Sequence, residues 1–331
     1  MGSIVCFGEI LIDLLAQPPA SPAQPRAFLQ YAGGAPANVA VAAARLGRDT
    51  QFVGMLGRDM FGDFLADSLR QHAVGTDYIA RTDAAKTALA FVALDPHGER
   101  SFSFYRPPAA DLLFRAEHFQ PACFEQASCF HVCSNSLTEA EIARTTFEGM
   151  QRARAAGALV SLDLNLRPAL WPADADPLPW LWQALELADV VKLSREELDF
   201  LAAPLGAEAE SGVLQRLLGA QAQWVVVTDG AAPLQWHTRA ASGQARSFSV
   251  PMVDSTAAGD AFVGGLLSAL VERGVDAAGL AAFCQDPAAM HDVLRFGAAV
   301  GALAVTRKGA FAAMPSRDEV DALLQQPQDT H

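Results

Sequence analysis

Ala158-Leu-Val-Ser-Leu-Asp-Leu-Asn-Leu166, Ala188-Asp-Val-Val-Lys-Leu193 and Gln223-Trp-Val-Val-Val-Thr228 are three short β-rich runs, each followed by a helical stretch. Strands alternating with helices argue for βαβ units and a mainly parallel sheet covered on both faces. Just upstream, Thr138-Glu-Ala-Glu141 reads as a capping box opening a helix that ends at Gly157. Two early segments break the rhythm. Thr87 to Asp95, the turn Asp95-Pro-His-Gly98 and Glu99 to Arg106 form a hairpin, with Ser101 and Ser103 alternating against Phe102 and Phe104. Phe28-Leu-Gln-Tyr-Ala-Gly-Gly34 is expected as a further strand of the same unit, so a few strands outside the main sheet form a small lid from two separated pieces.

The 331 residues are 51% hydrophobic and 18% charged, enough apolar material for a large core. The formal net charge of −13 excludes a broad electrostatic footprint for nucleic acid or an anionic membrane. An anionic substrate then needs a local site built from a metal or placed arginines. Cys6, Cys123, Cys129, Cys133 and Cys284 form no CxxC pair or zinc-ribbon spacing, so buried free thiols in a reducing, cytoplasmic setting are expected. The N-terminal run Met1 to Leu15 is apolar but carries Glu9 and Asp13 and no basic region, and reads as a first strand, not a signal peptide. No run of 18 apolar residues appears.

The strongest local signal for chemistry is Asp254-Ser-Thr-Ala-Ala-Gly-Asp260, followed by a long apolar run. This is a loop feeding a buried helix, whose start presents unpaired N–H groups and a positive dipole end to an anion. Asp260 then stands where it can take a proton from an attacking hydroxyl, or it merely complements the helix dipole. Gly33-Gly34-Ala35-Pro36-Ala37-Asn38 opens an alanine-rich helix closing at Gly47, either for close approach of a ligand or as an ordinary helix start. Asp163, Asn165 and Arg167 put three polar side chains at the end of a covered strand, where ligands of open α/β sheets bind. Ser194-Arg-Glu-Glu197 is a capping box, or Glu197 organises a hydrated Mg²⁺.

Together these segments resemble the PfkB (ribokinase-like) carbohydrate kinases along nearly the whole chain. Gly33 to Asn38 with Leu46-Gly47 is similar to the family's N-terminal signature, and Asp254 to Gly265 to its C-terminal one, with Ala257 where many members have glycine. The resemblance implies a ribokinase-like fold: a central, mainly parallel sheet flanked by helices, with a small β-sheet lid. It implies one domain over 1–331, the lid coming from about 14–34 and 86–111. By position, Asp260 would be the general base, with Ala257, Ala258 and Gly259 as anion hole. Asp13, Gly33, Gly34 and Asn38 would contact sugar hydroxyls. Asn165, Thr228 and Gly230, with Gly259, would bind ATP, although Pro233 replaces a glycine of the family's nucleotide loop. Glu197 would serve Mg²⁺ through water, with Ser194 in place of the family's asparagine. Asp254, Thr256, Ala304, Arg307 and Gly309 would neighbour a monovalent cation such as K⁺.

Within the family, Phe104 to Asp111 and Asp163 to Trp171 resemble the fructokinase versions of these segments, and Ala35 replaces the ribokinase lysine. Phosphorylation of D-fructose to fructose 6-phosphate is the expectation. The rival is 2-keto-3-deoxygluconate, whose carboxylate Arg106 and Arg167 would clamp; a nucleoside kinase is a more distant one. A different class is a sugar-sensing regulator without catalysis, which would not need Asp260. Exposed lid edges make a homodimer the expectation.

Overall fold

The computed structural model describes residues 2–17, 21, 25, 27–94 and 100–326. In chain order its strands are β1 (Ser3–Phe7), β2 (Leu11–Gln17), β3 (Ala27–Gly33), β4 (Thr50–Gly57), β5 (Ile79–Thr82), β6 (Leu89–Leu94), β7 (Arg100–Tyr105), β8 (Ala127–Cys133), β9 (Leu159–Asp163), β10 (Val190–Ser194), β11 (Trp224–Thr228), β12 (Leu234–Thr238) and β13 (Ser242–Ala245). Nine of them form one sheet in the order β13-β12-β11-β10-β9-β8-β1-β4-β5. From β5 across to β11 every pairing is parallel, and β12 and β13 close one edge antiparallel. A separate sheet has the order β3-β2-β6-β7. This is the ribokinase-like arrangement that the resemblance implies.

The main sheet is buried on both faces, and period-two alternation sorts its side chains between two cores. Ile4, Cys6, Cys129, Leu159, Val190 and Trp224 face a core shared with the helices Ala35–Arg45, Ala258–Glu272 and Pro287–Ala304. Val5, Phe7, Phe130, Val160, Leu162, Val191 and Leu193 face the other, built with the helices Ala140–Ala155 and Leu178–Leu185. Each large side chain so buried stabilises by about 1.5–3 kcal/mol. All five cysteines are buried and free, as their spacing suggests.

Three local expectations change. The N-terminal run is two strands, not one: the chain leaves the main sheet after Phe7 and enters the small sheet at Leu11, which carries Glu9 to the boundary between them. The Thr138–Glu141 capping box does not form. Glu139 occupies the N-cap without a side-chain bond, because a preceding 3₁₀ turn at Ser134–Leu137 draws the Thr138 hydroxyl back to the Asn135 carbonyl. The strand through Asp163 stops there, leaving Asn165 and Arg167 beyond its carboxyl end instead of on one strand face. The hairpin of β6 and β7 and the strand from Ala27 share the small sheet. The Asp95–Gly98 turn lies outside the described residues.

Candidate active site

The loop from Asp254 turns into the Ala258–Glu272 helix at Ala257, which holds a left-handed backbone (φ 59°, ψ 15°) as its N-cap. Asp254 braces the loop: its carboxylate accepts from the Thr256 amide (2.8 Å) and the Gly309 amide (3.1 Å). The first amides of a helix have no partner within it, so those at Ala257 to Gly259 add to the positive end of the dipole. The Ala258 amide also makes a long contact to the Ser255 carbonyl (3.3 Å).

Asp260, in the first turn of that helix, is buried. Its Oδ2 accepts from the Asn38 side-chain amide at 2.7 Å and its Oδ1 from that of Asn165 at 2.8 Å. Asn38 arrives on the Ala35–Arg45 helix, whose cap Gly34 has φ 109°; a Cβ there would meet the Glu9 carbonyl at 2.7 Å. Asn165 holds a left-handed backbone (φ 43°), a conformation asparagine tolerates better than most residues. Burial, then the Asp163 charge, push the Asp260 pKa up to about 7, against the opposing pull of Asn38, Arg167 and Lys192. Such a carboxyl is poised to exchange protons near neutral pH.

Asp260 borders a polar cavity of about 530 Å³, lined also by Glu9, Leu11, Asp13, Gly34, Asn38, Phe104, Asn135, Asn165, Arg167, Leu170, Thr256 and Ala257. Gly33 does not line it, but a Cβ on Gly33 would fall 2.2 Å from Asp13 Oδ2, so glycine leaves room for that carboxylate. Asn165, expected at the nucleotide, lines this cavity. Arg106, expected at the substrate, does not. Its guanidinium is buried against Asp111 (2.7 Å) and donates to the Asn135 carbonyl (2.8 Å), leaving it no carboxylate-clamping geometry. Burial opposes its charge, yet Asp111 and Glu9 hold its pKa above the ordinary arginine value.

On the other side of the helix start lies a mostly apolar cavity of about 320 Å³. Thr228, Gly230, Phe248, Met252, Ala258, Gly259, Ala298 and Val305 are among its walls, and Ser255 borders both cavities. Despite Pro233, the loop after β11 closes in a turn, the Ala232 amide donating to the Asp229 carbonyl.

Glu197 forms the reciprocal capping box with Ser194: its Oε2 accepts from the Ser194 amide (2.7 Å) and its own amide donates to Ser194 Oγ (3.2 Å). Its Oε1 accepts from the Leu166 amide (2.8 Å). With both oxygens committed, Glu197 does not fit direct coordination of Mg²⁺; a contact through water fits. Among the described residues no cluster of three or more His, Cys, Asp or Glu would cage a metal. In the segment expected beside a monovalent cation, Gly309 reaches Asp254 through its amide, while the Arg307 side chain turns away to Glu319. Ala304 ends the Pro287–Ala304 helix.

Glu9 and Asn135 were not among the expected site residues. Glu9 accepts from the Ala35 amide (3.0 Å) and the Asn135 side chain (2.9 Å), and burial raises its pKa against the pull of Arg106. A carboxylate inside an apolar N-terminal run was the available signal. Asn135 follows the carboxyl end of β8, and only the Ser134-Asn-Ser136 polar run marked it.

The model of the pfkB family carbohydrate kinases matches residues 1–317. Fructokinase-1 of Zea mays is 41% identical over 325 residues, covering 97% of each chain. The fructokinase of Xylella fastidiosa with bound ATP superposes with a TM-score of 0.94 at 62% identity, covering 98% of each chain. That of Vibrio cholerae O395 in its fructose-, ADP- and calcium-bound form superposes with a TM-score of 0.83 at 34% identity, covering 98% of this chain and 99% of that one.

Proposed function

The chain belongs to the pfkB family of carbohydrate kinases, and on that premise we propose that it transfers the γ-phosphoryl group of ATP to D-fructose, giving fructose 6-phosphate. One observation carries the reading: Asp260 sits buried at a helix start, gripped by Asn38 and Asn165, where a polar cavity adjoins an apolar one. The sugar hydroxyls bond Asp13, Asn38 and Glu9, and the 6-hydroxyl gives its proton to Asp260 as it attacks. Charge on the moving phosphoryl group falls on the Ala257, Ala258 and Gly259 amides, which need no reorganisation to receive it. The adenine ring lies against Phe248, Met252 and Val305 in the apolar cavity, with Thr228 and Gly230 beside the nucleotide. The Xylella relative, solved with bound ATP, supports ATP as the phosphoryl donor. Glu197 would hold Mg²⁺ through the ion's water shell, and the ion would supply neutralisation of phosphate charge. The Asp254–Thr256 loop and the backbone of Ala304, Arg307 and Gly309 would hold a monovalent cation such as K⁺.

The polar cavity favours a neutral sugar over 2-keto-3-deoxygluconate. Arg106 is consumed by Asp111, so among the described residues Arg167 is the one arginine on the cavity wall, facing the carboxylates Glu9 and Asp13. The small sheet, which begins at Leu11 and otherwise falls within about 14–34 and 86–111, covers the sugar as a lid. Its edge strands β3 and β7 expose Phe28, Leu29 and Tyr105, which supports a homodimer through that sheet. Five reduced, buried thiols support a cytoplasmic setting.

Coupled ADP release over a panel of fructose, 2-keto-3-deoxygluconate and nucleosides tests the substrate. Fructose is expected to exceed the sugar acid at least ~10-fold in kcat/KM, about 1.4 kcal/mol in transition-state binding. A preference for the acid would overturn the assignment.

A further inference from the structure

One residue of β10 is explained neither by the fold nor by the roles above. Lys192 stands in a strand covered on both faces, its side chain only 8% exposed. Taking an ammonium out of water costs several kcal/mol, and an ion pair of that kind is seldom recovered as stability. Its Nζ lies 3.0 Å from Oδ1 and 3.2 Å from Oδ2 of Asp163, itself fully buried at the carboxyl end of β9. Strand alternation points both residues at the Ala258–Glu272 helix. A Cβ added to Gly259 would come within 3.1 Å of Lys192 Nζ and 3.9 Å of Asp163 Oδ2. The pair therefore backs directly onto the residue preceding Asp260. An ammonium carries three N–H donors, and among the described residues Asp163 is its one hydrogen-bond acceptor.

We propose that Lys192 is a positioning residue for phosphoryl transfer: clamped by Asp163 behind Gly259, its ammonium offsets the Asp163 charge so that Asp260 can ionise beside it. Two neighbouring buried carboxylates do not readily ionise together without a compensating cation. Asp163 and Arg167 from β9 and the loop after it, Lys192 from β10 and the Cys133 thiol from β8 face Asp260, and the carboxylates Glu9 and Asp13 line the same cavity. Arg167 stands in the open cavity, whereas Lys192 is enclosed and permanent. Burial works against its charge, but Asp163 and then Glu197 outweigh that and hold its pKa above the ordinary lysine value. His131 on the same sheet face is uncharged at working pH, burial and then Lys192 lowering its pKa to about 3.

This inference rests on Asp260 as the base, and its test separates the two. The pH profiles of kcat and kcat/KM for fructose are compared for the wild-type protein, Lys192→Met, Lys192→Arg, Asp163→Asn and the Asp163→Asn/Lys192→Met double variant. The acid limb should rise by a pH unit or more in Lys192→Met, a tenfold loss per unit on that limb, and fall in Asp163→Asn. It should return to near wild type in the double variant and stay there in Lys192→Arg. An unmoved limb in folded Lys192→Met overturns the proposal. If that variant does not fold, Asp163→Asn decides: a limb that fails to fall overturns it equally. Asp260→Asn run alongside keeps the readings apart, since near-normal turnover there removes the base itself, while an inactive Asp260→Asn with unmoved limbs removes only the role of Lys192.

Discussion

The side-chain amide of Asn38 donates to Oδ2 of Asp260 over 2.7 Å, tying the starts of two helices together across 222 residues of sequence. Asn165 holds the other oxygen from the end of the sheet. The carboxylate is thus fixed in orientation before any substrate arrives, which is what the proposed role of general base requires.

Asp260→Asn should keep the fold, because the Oδ1 atoms of Asn38 and Asn165 have no partner among the described residues and can rotate to receive the new amide. Fructose phosphorylation should drop by ~10²–10⁴ while ATP binding persists. Steady-state kinetics with nucleotide titration by calorimetry check this; turnover within a few-fold of wild type would end the role.

Stability should carry the same signature. Asp260 keeps its proton up to about pH 7 in the folded chain but ionises from 3.8 when unfolded. The folded state therefore binds more protons in that window, and this residue lowers stability as pH rises through it, with the full penalty in place above 7. Asparagine cannot ionise. The melting temperature of Asp260→Asn relative to wild type should accordingly be higher at pH 8 than at pH 4.5, by calorimetric scans; an equal difference at both would refute the shift.

Arg106 should matter to the fold and not to the sugar. Replacing it with methionine strands Asp111 and the nearby Glu9 without their cation, and breaking a buried pair costs ~3–5 kcal/mol. Urea unfolding measures the loss. Unchanged stability with a steep rise in KM for fructose would return Arg106 to the substrate site.

Glu197 and Ser194 cap a helix, but unequally. Ser194→Ala removes one acceptor, a loss of ~1 kcal/mol. Glu197→Gln puts an amide donor against the Ser194 or Leu166 N–H, and an unsatisfied buried donor costs ~1–3 kcal/mol. Thermal denaturation of both variants should rank Glu197→Gln as the less stable, and the reverse order would say that the carboxylate bonds are weaker than their geometry.

The small sheet offers a further check. If it covers the sugar, the amides of β6 and β7 should exchange more slowly with fructose and a nonhydrolysable ATP analogue bound, because ordered, sequestered segments open less often. Equal exchange in both conditions would argue against a lid.

What the sequence determined by itself is what short-range physics encodes. The alternation of β-rich and helical runs specifies the parallel sheet. The small residues before Ala261 announce a helix start, which borders two cavities, and the Ser194–Glu197 box forms because its partners are three residues apart. Even at that range Thr138–Glu141 misled, since the preceding turn captured the threonine first. Only the tertiary structure decided what each polar residue does. Arg106 carries the charge of a substrate clamp, yet Asp111 and the Asn135 carbonyl claim it. Glu9 and Asn135 reach the cavity from β-strand ends far apart in the chain. Asp260 gains its proton affinity from burial and from Asp163, 97 positions away by residue number. Electrostatic energy depends on distance in space and on exclusion of water, and the order of residues along a chain specifies neither until the chain has folded.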